Sequence, residues 1–123
     1  MLWYTDALSY KRTGAAMTGM VYRHQPMGAL PVGHYSLMNL ENLNVQIEES
    51  FTNDSMVHIY PSKDISYDVL TVEYKKTLDD VIEKFGNYKT KDIVEYMHKE
   101  KAYIYTKQGE IIPFSLAKEI ADF

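Results

Sequence analysis

A chain of 123 residues with no cysteine, a formal charge of −4 and 46% hydrophobic residues describes a globular protein sized for one core. Disulfides, cysteine-based zinc sites and a thiol nucleophile are thereby excluded. Acidic residues outnumber basic ones by 17 to 13 and no basic run of five or six residues occurs, which argues against nucleic acid as the main partner, because phosphate-backbone binding draws on clustered cations.

The first element is LWYTDALSYKRTG. Trp3, Ala7 and Tyr10 share one helical stripe with Tyr4 and Leu8 beside it, and Gly14 stands where a left-handed C-terminal cap belongs. No capping residue precedes the apolar ones, so the expectation is an upstream helix or N-terminal module, or a second subunit, covering an exposed and sticky aromatic face. After a turn at Thr18-Gly19, MVYRHQ (20–25) predicts a short strand with Met20, Tyr22 and His24 on one face and Val21 and Arg23 on the other. QPMGALPVGHY (25–35), rich in Gly and Pro, reads as an elbow that carries this strand into a short helix through Tyr35, Leu37 and Met38.

LNVQIEES and SMVHIY alternate apolar and polar residues on either side of Thr52-Asn53-Asp54, the pattern of a β-hairpin. Past Pro61 and a polar linker, Tyr74, Leu78, Val81, Ile82 and Phe85 repeat at helical spacing, with Thr71 as N-cap and Gly86 after the last turn. A second helix begins after Thr90 and buries Ile93, Val94 and Met97. The C-terminal part holds the Tyr-rich AYIYT, a turn at Lys107 to Gly109 and a last short helix capped by Ser115, with Leu116 and Ile120 inward. These elements make a single α+β domain over 1–123, mostly helical, with a β-hairpin and a short extra strand.

Motifs that carry chemistry fail on named residues. Gly28 and Gly33 have the spacing of a phosphate-binding loop, but His34-Tyr35 stand where Lys and Ser or Thr would hold phosphate and magnesium. No serine sits in a G-x-S-x-G elbow. His98 shares a helix face with Glu95, which reads as a solvated face near a helix end, so no metal, cofactor or catalytic residue is expected. Asp6, set among apolar residues, calls for hydrogen-bond partners and reads as structural. An enzyme using His24, His34 or His98 would need two of those rings and a carboxylate converging in a cleft.

Taken in order, Leu2-Trp3-Tyr4 with Asp6, Gly14 with Thr18-Gly19, Pro26-x-Gly28, Pro31 and Tyr35, then VIEKFG, Ile93-Val94, Met97-His98-x-Glu100 and Ala102-Tyr103, form a series. This series resembles the Panacea domain, also called the SocA-like antitoxin domain, over nearly the whole chain. Departures are Gly28-Ala29-Leu30 where many members have Gly-Pro-Val, Tyr103 where many have Trp, and the lack of a helix upstream of the first. The absence of a basic-then-apolar leader and of an apolar run near twenty residues reads as a soluble cytoplasmic protein, and the missing catalytic motifs as a non-enzymatic one; the resemblance implies an antitoxin, phage- or prophage-associated, that neutralises a cognate toxin encoded beside it by direct binding. The resemblance also implies, as in one relative, hand-over of the toxin to a protease; a homodimer through the N-terminal aromatic helix is expected instead from the uncovered aromatic face of that helix. The rival reading is a sensor or dimerisation domain of a longer transcriptional regulator, which an upstream helix-turn-helix would favour. Aromatic and polar residues read as exposed on the first helix and elbow supply the candidate partner-binding set: Trp3, Tyr4, Asp6, Tyr22, Gln25 and Tyr35.

Overall fold

A computed structural model of the protein describes residues 1–33 and 70–121 in full and the backbone of 43–49 and 55–61. The chain divides into two compact units, one made of 1–32 with 70–123 and the other of 33–69. Helices and antiparallel strands are both present, an α+β architecture as expected.

Helix α1 (Leu2–Thr13) is the central element of the first unit. It ends at Gly14, whose φ of 82° and N–H bond to Tyr10 O form the left-handed cap that its lack of a side chain permits. Every residue from Trp3 to Ser9 is buried. A helix covered on all sides is a core helix rather than a half-exposed one, and α1 is covered by its own chain. The expectation of an exposed, sticky aromatic face is therefore corrected. Trp3 packs edge-on against Tyr22 at 5.3 Å between ring centroids and stacks on Phe114 at 5.7 Å, while Tyr4 lies 4.4 Å from Phe85. Each fully buried ring of this kind is worth about 1.5–3 kcal/mol by area, with a further ~0.5–1.5 kcal/mol from ring-ring geometry.

Strands β1 (Tyr22–Gln25) and β2 (Gly28–Pro31) pair antiparallel, with Tyr22 opposite Pro31 and Gln25 opposite Gly28. Pro26-Met27 is thus the turn of a tight hairpin. The elbow that was to lead a strand into a helix is instead a chain reversal, and the extra strand has a partner; the expected helix through Tyr35, Leu37 and Met38 lies outside the described residues. Tyr22 is buried and Val21 exposed, matching the alternation read from the sequence. On its other edge β1 meets residues 109–112: His24 N–H donates to Glu110 O, Gly109 N–H to His24 O and Ile112 N–H to Tyr22 O, at 2.8, 2.7 and 2.9 Å.

The second unit contains β3 (Leu43–Glu49) and β4 (Ser55–Pro61), paired antiparallel from Leu43 opposite Pro61 to Glu49 opposite Ser55. This is the hairpin predicted from the alternating residues.

Helix α2 (Val72–Phe85) starts at Thr71, whose hydroxyl accepts the Tyr74 N–H at 3.2 Å as an N-cap. Its buried face runs through Thr77, Val81 and Phe85, whereas Ile82, placed on the apolar stripe by spacing, is exposed. The Arg12–Asp80 ion pair at 2.8 Å and a weaker Arg12 bond to Thr77 Oγ1 tie α1 to this face, which explains why a threonine is buried there. Helix α3 (Thr90–His98) follows, buried at Met97 and half-buried at Ile93 and Val94. AYIYT forms the short helix α4 (Lys101–Ile104) and its exit. A closing 3-10 helix (Phe114–Glu119) is entered from Pro113 rather than capped by Ser115, and sets Ala117 and then Ile120 into the core with Leu116 at its margin.

Candidate functional site

The candidate partner-binding residues divide by burial. Trp3 and Tyr4 are 3% and 2% exposed, and Asp6 and Tyr22 are wholly buried. Their expected exposure is corrected, because the β1–β2 hairpin, α2 and the 3-10 helix close over α1. Gln25 is half-buried at the end of β1, and Tyr35 lies outside the described residues.

Asp6 is the polar centre of the core. Its Oδ1 accepts the Thr18 N–H at 2.7 Å, and its Oδ2 accepts the Thr18 hydroxyl and, at 2.7 Å, the Tyr22 hydroxyl. A buried carboxylate persists only when its lone pairs are met by donors, and this one is met by three. The structural reading of Asp6 holds, since its bonds go to Thr18 and Tyr22 within the core. Burial, and then the bond to Asp6, holds the Tyr22 phenol far above its ordinary titration range. The effect of the network is mechanical: it ties α1, the Thr18 turn and the start of β1 together.

The hairpin turn is held from the other side. Tyr103 OH donates to Gln25 O at 2.5 Å and His98 Nε2 lies 3.1 Å from Pro26 O. A carbonyl can only accept, so His98 carries its proton on Nε2. Tyr103 is sandwiched between the two imidazoles, with ring centroids 3.6 Å from His24 and 4.5 Å from His98. The Thr106 hydroxyl spends its proton on Ala102 O at 2.8 Å, so at 2.8 Å it accepts from His24 Nδ1–H. Two of the four histidines do converge, but their partners are a phenol, a hydroxyl and a backbone carbonyl. Such an arrangement clamps a loop, and it offers no carboxylate to orient a general base. No set of three or more His, Asp or Glu among the described residues could hold a metal ion.

Beyond the clamp the turn presents Met27, 67% exposed, with Met1 and Leu2 exposed on α1. Beside Met27 lies a small cleft of about 70 Å³ lined by Met1, Trp3, Tyr4, Ile93 and Met97 among others. Small-molecule and cofactor sites run to roughly 300–1,000 Å³, so this cleft is too small for one. Gly28 sits against it with a φ of 114°, and a Cβ there would stand 3.3 Å from Met97 Cγ. A close backbone approach thus brings the hairpin onto α3. Just past the end of α3, Glu100 accepts the Tyr4 hydroxyl at 3.2 Å. Burial raises the Glu100 carboxyl; burial first and the Glu100 charge second raise the Tyr4 phenol.

Sequence reasoning picked out Asp6, Tyr22 and Gln25 but missed the clamp, whose members His24, His98 and Tyr103 are distant along the chain. The one local signal was the Pro26-Met27 pair between two four-residue segments, the spacing of a tight hairpin.

These features define a small α+β domain whose polar network and histidine-tyrosine clamp serve to hold a hairpin in place. The family model described as antitoxin SocA-like, Panacea domain, matches residues 1–103, and the chain belongs to this family. The match takes in α1, the β1–β2 hairpin and all three clamp rings. The core residues Ile112, Ala117 and Ile120 come from the segment that follows it. No curated protein and no solved structure matches the chain.

Proposed function

We propose that the domain is a non-enzymatic antitoxin that neutralises a cognate toxin by direct protein–protein contact in the cytoplasm. The observation that carries this reading is membership of the SocA-like antitoxin family across residues 1–103. The surface geometry supports it: a clamped hairpin tip presents Met27 beside Met1 and Leu2, and exposed methionines adapt their shape to a partner. Gln25 contributes contacts near this tip, and Tyr35, outside the described residues, is a further candidate contact by sequence alone. Trp3, Tyr4, Asp6 and Tyr22 act by holding α1 and the hairpin in position. Self-association through the α1 aromatics forms no part of the proposal, since those rings are already engaged within the chain, and hand-over to a protease has only the family resemblance behind it. The acidic balance of the chain favours encounter with a basic toxin.

The test is co-expression with the product of the adjoining reading frame. Growth arrest by the neighbour alone, relieved when this protein is co-expressed, is the expected result. A neighbour that is harmless alone, or that arrests growth equally in its presence, would overturn the proposal.

A further inference from the structure

A second surface lies on the outer face of the hairpin sheet, away from the core. Residues 109–112 lie along the edge of β1 opposite β2, so Arg23 stands between Leu30 and Ile111. In the next row Val32 N–H donates to Val21 O at 2.8 Å. The inward face carries Tyr22 and Ile112, both buried, whereas Val21, Leu30, Val32 and Ile111 point outward and are between 38% and 52% exposed. Antiparallel sheets that border water normally turn polar residues to it. Here four aliphatic residues ring one cation instead, and a contiguous apolar patch marks an interaction surface.

The cation is available. Arg23 Nη1 donates to Gly109 O at 2.8 Å, and the guanidinium makes no ion pair with a described residue. That bond orients the group and leaves the N–H groups of Nη2 and Nε to offer a carboxylate a two-pronged bond. The carboxylate of the adjoining Glu110 is spent on Lys107, whose backbone N–H it accepts at 2.6 Å. Gln25, half-buried, follows Arg23 on the same side of β1.

We propose that this face takes an amphipathic α-helix of a protein partner, whose apolar stripe carries one Asp or Glu to meet Arg23. The face offers side chains rather than a backbone edge, and a helix laid on a sheet is the layer arrangement that buries such a face. Three strands at about 4.8 Å spacing set the outer two about 10 Å apart, the width of one helix. From Val21 to Gln25 the face runs about 14 Å, which about two and a half helical turns cover. The aliphatic ring would then shield the ion pair from water, as the surround of an interface anchor does. A second copy placed on a twofold axis would set Arg23 against Arg23. An anionic bilayer draws on clustered cations, which a face with one arginine on a chain of charge −4 lacks. The inference rests on the reading of the domain as a protein-binding module and names the chemistry of one contact.

The experiment titrates the full-length protein with an alanine-based peptide of about 18 residues, long enough to be helical in water, whose leucine stripe carries one glutamate. The methyl resonances of Val21, Leu30, Val32 and Ile111 and the Arg23 Nε–H report binding. Saturable shifts of these groups are expected, with the glutamate peptide binding about tenfold tighter than its glutamine counterpart, the scale of a hydrogen bond between charged groups. Arg23→Gln should abolish that preference while the weaker binding of the glutamine peptide persists, and Leu30→Ser should weaken both peptides alike. Unmoved methyl groups, equal binding of the two peptides, or a preference that survives Arg23→Gln would each overturn the inference. So would concentration-dependent dimerisation that moves the same methyl groups, which makes the face a self-contact, or binding of phosphatidylserine vesicles in place of either peptide. Failure here would leave toxin neutralisation standing, and failure of co-expression rescue would leave the titration result standing, so the two are told apart.

Discussion

Replacing Tyr22 by Phe tests the Asp6 network with the smallest change available. The ring keeps its packing, 5.3 Å from Trp3 and 6.2 Å from Phe114, and what is lost is the hydroxyl that donates to Asp6 Oδ2 at 2.7 Å. A hydrogen bond to a charged group contributes about 1.5–3 kcal/mol, and Asp6 keeps both Thr18 donors, so the lower half of that range applies, roughly 2 kcal/mol. For a domain of this size each kcal/mol moves Tm by about 3–6 °C, which gives a fall of roughly 6–12 °C. Urea unfolding followed by circular dichroism should show a lower midpoint with an unchanged slope. Tyr10→Phe is the control: Tyr10 packs against Phe114 at 5.4 Å, but its hydroxyl makes no hydrogen bond with a described residue, so its loss should cost under about 0.5 kcal/mol.

The pH profile adds an independent reading. Both Tyr22 and Tyr4 are raised in the folded state, so their contribution is fully present below the unfolded phenol value of 10.0 and is lost as pH rises beyond it. Wild-type stability should therefore fall above about pH 10, and Tyr22→Phe should flatten that fall. A Tyr22→Phe protein as stable as wild type, or one matched by Tyr10→Phe, would refute the reasoning.

Three other outcomes follow from the same geometry. Hydrogen bonds from Lys76 and then Arg12 hold the Asp80 carboxyl below its ordinary value, so its contribution is present above pH 3.8 and is lost as pH falls through the folded value; Asp80→Asn should lower the urea midpoint at pH 7 and converge with wild type in strong acid. Gly28→Ala combines a left-handed φ with the contact to Met97 and should cost about 1–3 kcal/mol in thermal unfolding, whereas Leu30→Ala on the exposed side of the same strand should cost less than that. Tyr103→Phe removes the bond to Gln25 O and should speed hydrogen exchange in residues 25–28 several-fold while leaving α1 protected.

What could be read from the sequence was what repeats locally. Helix α2 follows from its stripe and its Thr71 cap, and the β3–β4 hairpin from strict alternation around a turn rich in Asn and Asp. The span of α1 was legible down to Gly14, but its environment was not. A helix rich in aromatic residues looks the same whether its own chain or a partner covers it, and only the return of β1, Phe85 and Phe114 decides. Strand β2 escaped because GALP is four residues long and carries both Gly and Pro, which read as punctuation. Ile82 was misplaced because spacing alone cannot tell which edge of an apolar stripe a neighbour covers, and here Arg12 reaches Thr77 on the opposite edge. The clamp was invisible for a different reason. His24 meets Tyr103 across 79 positions of sequence through a ring stack that leaves no periodic trace.

The central claim is direct binding, and size-exclusion chromatography of the purified protein mixed with the purified product of the adjoining reading frame tests it most directly. The account predicts a stable complex that elutes ahead of either component and is weakened by Met27→Asp at the hairpin tip. Growth rescue in cells with no complex between the purified proteins would contradict it, because neutralisation would then proceed by some route other than contact.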